Sequence, residues 1–285
     1  MPDDERKPRS GIRLARPSVF IVALFYIASL LGYWWISSSS EQLKPLNSHP
    51  ADIPVVSIHL NTIYTGANRL ETTIWLIPPE RYVDERLGVL NTDIVVRLYP
   101  WTDVGAITFE KGQTPASTIA TITADGDPNR WPFDTYRTKP ISADVIIGSG
   151  DSRFVEPAEI RFSGAIEGWD IHIDTAGLQT AELMVALHRN RGTLAFDLGV
   201  ILVLITLPIL AMFVAVETVT GKRKFVPPFA AWLAALLFAV VPLRRFLPGA
   251  PPPGAWIDQA IVLWVLIALV SAMVIYVVAW YRFTD

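Results

Sequence analysis

The sequence predicts a membrane protein with four transmembrane helices and an all-β domain, an antiparallel β-sandwich inserted between helices 1 and 2. Three observations predict this fold class. Four windows contain no Asp, Glu, Lys or Arg, the long segment between the first two windows alternates apolar and polar residues, and basic residues cluster on one side of the windows. Hydrophobic residues make up 51% of the chain, which a soluble protein also reaches, so their clustering into uncharged runs decides the class.

Each uncharged window is long enough to cross a membrane as a helix. A helix rises about 1.5 Å per residue and the hydrocarbon core is about 30 Å thick, so about 20 residues span it. The first window is too long for the apolar part of a signal peptide and ends in Tyr33-Trp34-Trp35, which favours an uncleaved anchor with an aromatic belt. The windows are Pro17–Ser40, Leu198–Val216, Phe225–Leu243 and Gln259–Tyr281.

The charges beside the windows predict an orientation. The short segments next to them carry nine basic residues on one side, including Lys222-Arg223-Lys224, and only Arg244 and Arg245 on the other. Because basic segments stay in the cytoplasm, both termini of this multi-pass protein of the cell membrane are predicted to be cytoplasmic. The predicted order is a basic tail (1–17), helix 1 (18–37), the extracytoplasmic β-sandwich domain (38–194), helix 2 (195–217), a cytoplasmic loop (218–225), helix 3 (226–244), an extracytoplasmic Pro-rich loop (245–256), helix 4 (257–280) and a cytoplasmic tail (281–285).

Short strands are predicted throughout the domain between helices 1 and 2. Apolar residues alternate with polar ones in Ile53–Leu60, Asn68–Ile77 and Thr92–Tyr99, the pattern of strands with one buried face. Turn residues such as Pro78-Pro79 and Gly148-Ser149-Gly150 separate the runs. Seven to nine short strands at this spacing are typical of an antiparallel β-sandwich.

The composition excludes several kinds of site. The chain has no cysteine, which excludes a catalytic thiol, a disulfide, an iron–sulfur cluster and a zinc ribbon. A net charge of −3 gives nucleic-acid binding no electrostatic support. The sequence also contains no P-loop, nucleophile elbow, H-E-x-x-H or G-x-G-x-x-G motif. We therefore predict no cofactor, no metal ion, no nucleic-acid partner and no catalytic residue.

Three patterns, in order along the chain, carry a resemblance to a known family. They are Trp131–Tyr136, Arg189-Asn190-Arg191, and the stretch Phe238–Gly254 followed by Asp258. In these residues the chain resembles bacterial and fungal membrane proteins catalogued as domain of unknown function 4436. The resemblance extends from about Val55 to Ala279 and implies the same four-span layout, without an established activity.

The run Trp131-Pro132-Phe133-Asp134 is also similar to a turn of pentameric ligand-gated channels. There, a Pro-Phe-Asp turn at the membrane-facing end of the β-sandwich couples it to the pore helices. Two features of this chain depart from the channels: one helix precedes the sandwich, whereas the channels place all four after it, and Tyr136 stands where the channels usually have Gln. The resemblance implies a coupling role for Trp131, Pro132, Phe133 and Asp134.

Asp134 has two interpretations. In one, Phe133 packs onto the core and Asp134 caps the turn, with Arg130 or Arg137 as its partner. In the other, Asp134 contacts the membrane helices and couples the sandwich to them.

Arg244 and Arg245 lie at the outer end of helix 3, against the charge rule. Either they extend to the lipid headgroups, or they pair with Asp197 or Asp258, or they bind an anionic lipid headgroup or ligand. Asp197 and Asp258 open helices 2 and 4 at the outer face, where each carboxylate is also suited to cap its own helix.

Two further segments have open interpretations. Pro248–Gly254 is a stiff loop that serves either as a rigid connector or as a docking edge for the sandwich or a partner. Asp170, His172 and Asp174 alternate along one strand and therefore share a face, which is either a solvated surface or a metal or acid–base site.

Three functions compete on this basis. The first is a non-enzymatic accessory, scaffold or assembly subunit of a cell-envelope complex, with membrane lipid and other proteins as partners. The second is a channel or receptor-like protein that couples the sandwich to the helices through residues 131–134. The third is an envelope lipid or glycan enzyme that uses Asp134, Asp170 and His172.

Overall fold

The structure, a computed structural model, describes residues 26–27, 52–175, 182–249 and 251–283. Most of them form a β domain that ends at residue 189, followed by three apolar helices. Tyr26 and Ile27 are helical and belong to a separate unit, Met1–Ser40. The rest of predicted helix 1, the basic tail before it and the tether after it lie outside the described residues.

Within the described residues, the β domain contains thirteen strands. They are β1 (Val55–Tyr64), β2 (Arg69–Ile77), β3 (Val83–Asp84), β4 (Val89–Leu90), β5 (Ile94–Tyr99), β6 (Ile107–Phe109), β7 (Thr118–Gly126), β8 (Thr135–Thr138), β9 (Ser142–Ile147), β10 (Phe154–Pro157), β11 (Glu159–Gly164), β12 (Trp169–Thr175) and β13 (Leu183–Arg189). Seven strands form one sheet in the order β11-β1-β2-β7-β8-β13-β12. Four form a second sheet in the order β10-β9-β5-β6, and β3 pairs with β4.

Both large sheets contribute to one apolar core. Strand β2 buries every second residue, among them Leu70 and Ile74, and β5 does the same through Ile94 and Leu98. Burying each such side chain contributes about 1.5–3 kcal/mol, so the alternation predicted from the sequence accounts for much of the stability of the domain.

One strand pair departs from the prediction of a purely antiparallel fold. Strands β1 and β11 are parallel, with Val55 opposite Glu159 and Leu60 opposite Gly164. Only Ala158 separates β10, at the edge of the smaller sheet, from β11, at the edge of the larger one. After β10 the chain therefore passes from the edge of the smaller sheet to the edge of the larger sheet. There β11 runs beside β1 in the same direction.

Three helices follow the β domain, and each is long and apolar enough to cross a membrane. They are α1 (Arg191–Val219), α2 (Pro228–Arg245) and α3 (Leu263–Phe283), which a π-helical turn at Asp258–Val262 precedes. They coincide with predicted helices 2, 3 and 4, although α1 starts four residues before the predicted residue 195.

Small residues let the helices approach closely. Ala211 and Ala215 of α1 and Ala272 of α3 are fully buried in the cluster that unites the three helices. On α3, the hydroxyl of Tyr276 donates to the Val226 carbonyl at 2.7 Å, which ties α3 to the segment before α2.

Gly126→Ala tests the packing at the end of β7. An added Cβ would lie 2.5 Å from the carbonyl oxygen of Thr135 and would overlap the Tyr136 ring. We expect the free energy of unfolding to fall by about 1–3 kcal/mol, the usual range for overpacking. Tryptophan fluorescence during thermal unfolding of the detergent-solubilised protein measures it.

The matched control is Gly66→Ala, because nothing lies within 4 Å of a Cβ added there. Equal losses of stability in both variants would show that Gly126 has no special packing role.

Candidate functional site

The β domain meets the helices at a compact junction, which we define by the Trp131–Asp134 turn, Arg189, and residues 247–249 and 251–257 of the loop between α2 and α3. Only Asn190 separates β13 from α1. Its side-chain oxygen accepts a hydrogen bond from the Thr193 amide at 2.7 Å and caps α1. The sheet therefore continues into the first apolar helix without a flexible linker.

A buried ion pair lies at the centre of the junction. The Nε and Nη2 atoms of Arg189 donate to Oδ1 and Oδ2 of Asp134, the second bond measuring 3.1 Å. Only 1% of the Asp134 side chain and 3% of the Arg189 side chain are exposed. Strand pairing explains this contact, because His188 lies opposite Thr135, which brings the following and preceding residues together.

This geometry corrects the first interpretation of the turn. Neither Arg130 nor Arg137 is the partner of Asp134, and Phe133 does not pack onto the core, since 61% of its surface is exposed. Local sequence favoured those arginines because they are near in the chain, whereas the strand register brings Arg189 from 55 positions away.

The ion pair also reaches the loop between α2 and α3. Nη1 of Arg189 donates to the Pro248 carbonyl at 3.1 Å, and the indole nitrogen of Trp131 donates to the same oxygen at 2.9 Å. In return, the indole nitrogen of Trp256 donates to the Trp131 carbonyl. These three hydrogen bonds and the Asp134–Arg189 pair, which together we call the clamp, join the β domain to the loop between α2 and α3.

The guanidinium of Arg189 is closely packed. Its carbon lies 4.8 Å from the centre of the Trp169 ring and 5.8 Å from that of Trp131. Gly249 adopts φ +66°, and an added Cβ there would lie 2.8 Å from Nη2 of Arg189. A glycine is therefore required both for the backbone conformation and for the approach of the arginine.

Trp131 anchors the turn among apolar side chains of the helices. It is 1% exposed and lies in a cluster with Ile201 of α1 and with three residues of the junction loop, Leu247, Ala255 and Ile257. Pro132 is buried as well. Of the four residues predicted to couple the domains, three are therefore buried at the junction and one, Phe133, is exposed.

A second ion pair closes the junction loop. Nε and Nη2 of Arg244 donate to the two carboxylate oxygens of Asp258, both at 2.7 Å, and Nη2 also lies 3.1 Å from the Pro251 carbonyl. Of the two carboxylates predicted as partners, the structure thus pairs Arg244 with Asp258, while Arg245 is exposed. The pair holds the end of α2 against the start of α3.

The predicted N-capping roles of Asp197 and Asp258 are wrong. Helix α1 begins at Arg191, so Asp197 lies in its second turn, where it is fully buried and neither oxygen has a hydrogen bond. Asp258 accepts a bond from the amide of Gly254, which precedes the helix, at 2.9 Å. Asp197 is not bonded to Arg244, whose partner is Asp258.

Tyr136 is another buried polar residue near the ion pair. Its ring meets the Trp169 ring edge to face at 5.4 Å, and its buried hydroxyl has no hydrogen-bond partner. Burial raises the pKa of Tyr136 above its usual value, and the negative charge of Asp134 raises it further.

The predicted face of Asp170, His172 and Asp174 is present, because the three residues alternate along β12 on the side opposite the buried Ile171. Asp170 lies opposite His188 on β13, and the rings of His172 and His188 are 5.8 Å apart between their centres. Across the described residues, no group of three His, Cys, Asp or Glu side chains is arranged to hold a metal ion.

Sequence reasoning missed the residues that complete the junction. Arg189 was noted only as part of a family pattern, and Gly249 and Trp256 were not singled out. The signal for Arg189 was present, since an arginine directly before an apolar helix requires a counter-ion once it is buried.

Asp134→Asn tests the buried ion pair. The amide keeps the volume of the side chain but leaves the charge of Arg189 buried without a counter-ion, which is expected to lower stability by about 3–5 kcal/mol. Chemical unfolding of the detergent-solubilised protein, followed by tryptophan fluorescence, measures the loss.

Glu159→Gln is the control, because it removes the carboxylate of a more exposed ion pair, the one with Arg161. It should lower the free energy of unfolding by about 1 kcal/mol or less. A similar small loss for Asp134→Asn would contradict the clamp.

Tyr136 predicts a loss of stability at alkaline pH. Because its pKa is higher in the folded protein than in the unfolded chain, its contribution is complete below about pH 10 and decreases by about 1.4 kcal/mol per pH unit above it. Tyr136→Phe should remove this part of the pH dependence and should not lower stability at neutral pH, since the hydroxyl that it removes is buried without a partner. Unfolding curves between pH 8 and 11.5, taken as roughly the range around the usual tyrosine pKa, measure the slope.

Tyr281→Phe serves as the control, because it changes an exposed tyrosine at the end of α3. If both variants kept the wild-type alkaline slope, Tyr136 would not be its source.

Comparison with known proteins divides the chain at the junction. The family model described as Domain of unknown function (DUF4436) matches residues 45–188, and the one described as Domain of unknown function (DUF8686) matches residues 189–283. The patterns at Arg189-Asn190-Arg191 and Phe238–Gly254 thus fall in the second match, beyond the end of the first. Comparison with curated proteins gives no match. The first family model matches more than half of the residues of this chain. The chain therefore belongs to the family described as Domain of unknown function (DUF4436).

Proposed function

We propose that the protein is a non-enzymatic accessory, scaffold or assembly subunit of a cell-envelope complex, which holds its β domain in a fixed orientation on the membrane. In this proposal the chain crosses the cell membrane four times, with both termini in the cytoplasm and a β-sandwich outside, inserted between helices 1 and 2. The observation that carries the proposal is the buried Asp134–Arg189 pair, bonded to Pro248 between two apolar helices.

The contacts at the junction support the proposed topology. The β domain bonds to Pro248 and Trp256, so it lies at the same ends of the helices as the loop between α2 and α3. The connection from α1 to α2, which carries Lys222-Arg223-Lys224, lies at the opposite ends. With basic residues retained in the cytoplasm, the β domain is then outside.

Fixed docking supports a scaffold role. A domain joined to its helices by a flexible linker would sample many orientations, whereas the single residue Asn190 and the ion pair allow this one few. A surface presented at constant height and angle suits a subunit that positions other envelope proteins.

A second candidate is a receptor-like protein in which the same contacts transmit movement. The specific observation in its favour is that the Trp131–Asp134 turn bonds directly to the loop that joins α2 and α3. Movement of the turn would then shift the ends of both helices. Conductance of the purified protein in planar bilayers, lost in Gly249→Ala, would favour this candidate over the scaffold.

Single-cysteine labelling tests the proposed topology, because the natural chain has no cysteine. We expect a membrane-impermeant maleimide added to intact cells to label Ser152→Cys, in the β domain, and to label Lys222→Cys only after the membrane is opened. The opposite result would place the β domain in the cytoplasm. Release of the protein by alkaline carbonate would exclude a membrane-spanning chain.

Affinity purification from native membranes in mild detergent tests the scaffold role. We expect a defined set of envelope proteins to accompany the wild-type chain and Glu159→Gln, and to be lost from Asp134→Asn and Gly249→Ala, in which the clamp is disturbed. The two clamp variants perturb different atoms, so a loss in both is not a property of one misfolded variant. A solitary chain with intrinsic catalytic turnover would overturn the proposal.

A further inference from the structure

Phe133 is exposed between buried neighbours. The residues on either side of it, Pro132 and Asp134, are buried in the junction, whereas 61% of Phe133 is exposed. A large aromatic side chain that stays in water loses about 1.5–3 kcal/mol of the stabilisation that burial would give. The exposure of Phe133 therefore requires an explanation.

A second phenylalanine is exposed at the same junction. Phe246 follows the last residue of α2 and is 69% exposed, while the next residue, Leu247, is buried against Trp131. One exposed phenylalanine thus comes from the β domain, two residues after Trp131, and one from the helix end, next to Leu247, and both of these residues belong to the same buried cluster. Both therefore lie at the level where α2 ends.

That level is where a membrane-spanning helix reaches the lipid headgroups. Helices α2 and α3 are long enough to span the hydrocarbon core, and the Arg244–Asp258 pair marks the point where their apolar parts end. Aromatic side chains are enriched at this depth because an apolar ring lies favourably between the acyl chains and the headgroups.

Exposed arginines accompany both phenylalanines. Arg130 precedes Trp131 and Arg245 precedes Phe246, and both are exposed. Arg244 and Arg245 are both predicted to bind lipid. Arg244 forms an ion pair with Asp258, whereas Arg245 is exposed. Asp127, three residues before Arg130, accepts hydrogen bonds from Asn129. A basic residue beside an exposed aromatic residue is the chemistry of binding to an anionic membrane surface.

We propose that Phe133 and Phe246 insert into the outer headgroup region of the membrane while Arg130 and Arg245 bind anionic headgroups. The β domain would then hold the lipid surface directly, in addition to its bonds to the helices. This inference rests on the proposed topology, and its partner is a lipid bilayer rather than another protein.

Fluorescence at single cysteines tests the insertion. Phe133→Cys and Ile119→Cys replace side chains of similar exposure, 61% and 63%. Ile119 lies seven residues before the junction end of β7, about 23 Å along the strand. Each variant is labelled with nitrobenzoxadiazole and placed in nanodiscs of phosphatidylcholine and phosphatidylglycerol.

We expect a nitroxide on the lipid headgroup to quench the label at position 133 several-fold more than the label at position 119, and aqueous iodide to show the reverse. Equal quenching at both positions by each reagent would overturn the insertion. A thermal midpoint equal to that of the wild type establishes that both labelled proteins are folded. If the label at position 133 is quenched by iodide while Ser152→Cys is still labelled from outside the cell, the proposed insertion is wrong and the proposed topology is retained.

The headgroup contact has its own test. The thermal midpoint of the wild type should rise when phosphatidylcholine nanodiscs are replaced by nanodiscs that also contain phosphatidylglycerol. The double variant Arg130→Gln, Arg245→Gln should lose this rise, while Arg86→Gln, on an exposed turn of the β domain, should keep it. A rise of the same size in the double variant, or on adding inorganic phosphate to phosphatidylcholine nanodiscs, would overturn recognition of the membrane surface.

Discussion

The arrangement of the molecule depends on one buried ion pair, Asp134 with Arg189, at the boundary between two chemically different halves. Taking both charges out of water is expensive, and the pair offsets this only because Arg189 donates three hydrogen bonds there, two to Asp134 and one to the Pro248 carbonyl. Such a pair adds little net stability compared with an apolar contact. What it does is penalise every other arrangement, because any displacement leaves a charge buried alone. Among residues 52–175, 182–249 and 251–283, the ion pair therefore favours a single position of the β domain relative to the three helices.

The same constraint explains why the residues around the pair are so specific in size. Gly249 leaves room for the guanidinium, Trp169 lies over it, and Trp131 bonds the carbonyl that the arginine also uses. The second pair, Arg244 with Asp258, holds the loop that presents this carbonyl. The Arg244–Asp258 pair therefore holds the loop in place, and the Asp134–Arg189 pair attaches the β domain to that loop.

The sequence predicted the parts of the fold that depend on local pattern. Alternation in β2 and β5 and the uncharged windows of α1, α2 and α3 follow from which faces are buried, and single residues report that directly. It did not predict the parallel β1–β11 pair or the partner of Asp134, because both depend on strand register between distant segments. Helix capping was also assigned wrongly at Asp197, since the cap, Asn190, lies beyond the uncharged window that marked the helix.

The parallel pairing of β1 with β11 has a consequence for how the domain is made. Strand β1 lies between β2 and β11, yet β11 emerges 104 residues after it, and no sheet can be completed around β1 until then. Pairing across such a separation slows folding and leaves an unpaired strand edge exposed in the meantime. If the chain is delivered from its amino end, β1 therefore keeps one open edge until almost the whole β domain has emerged.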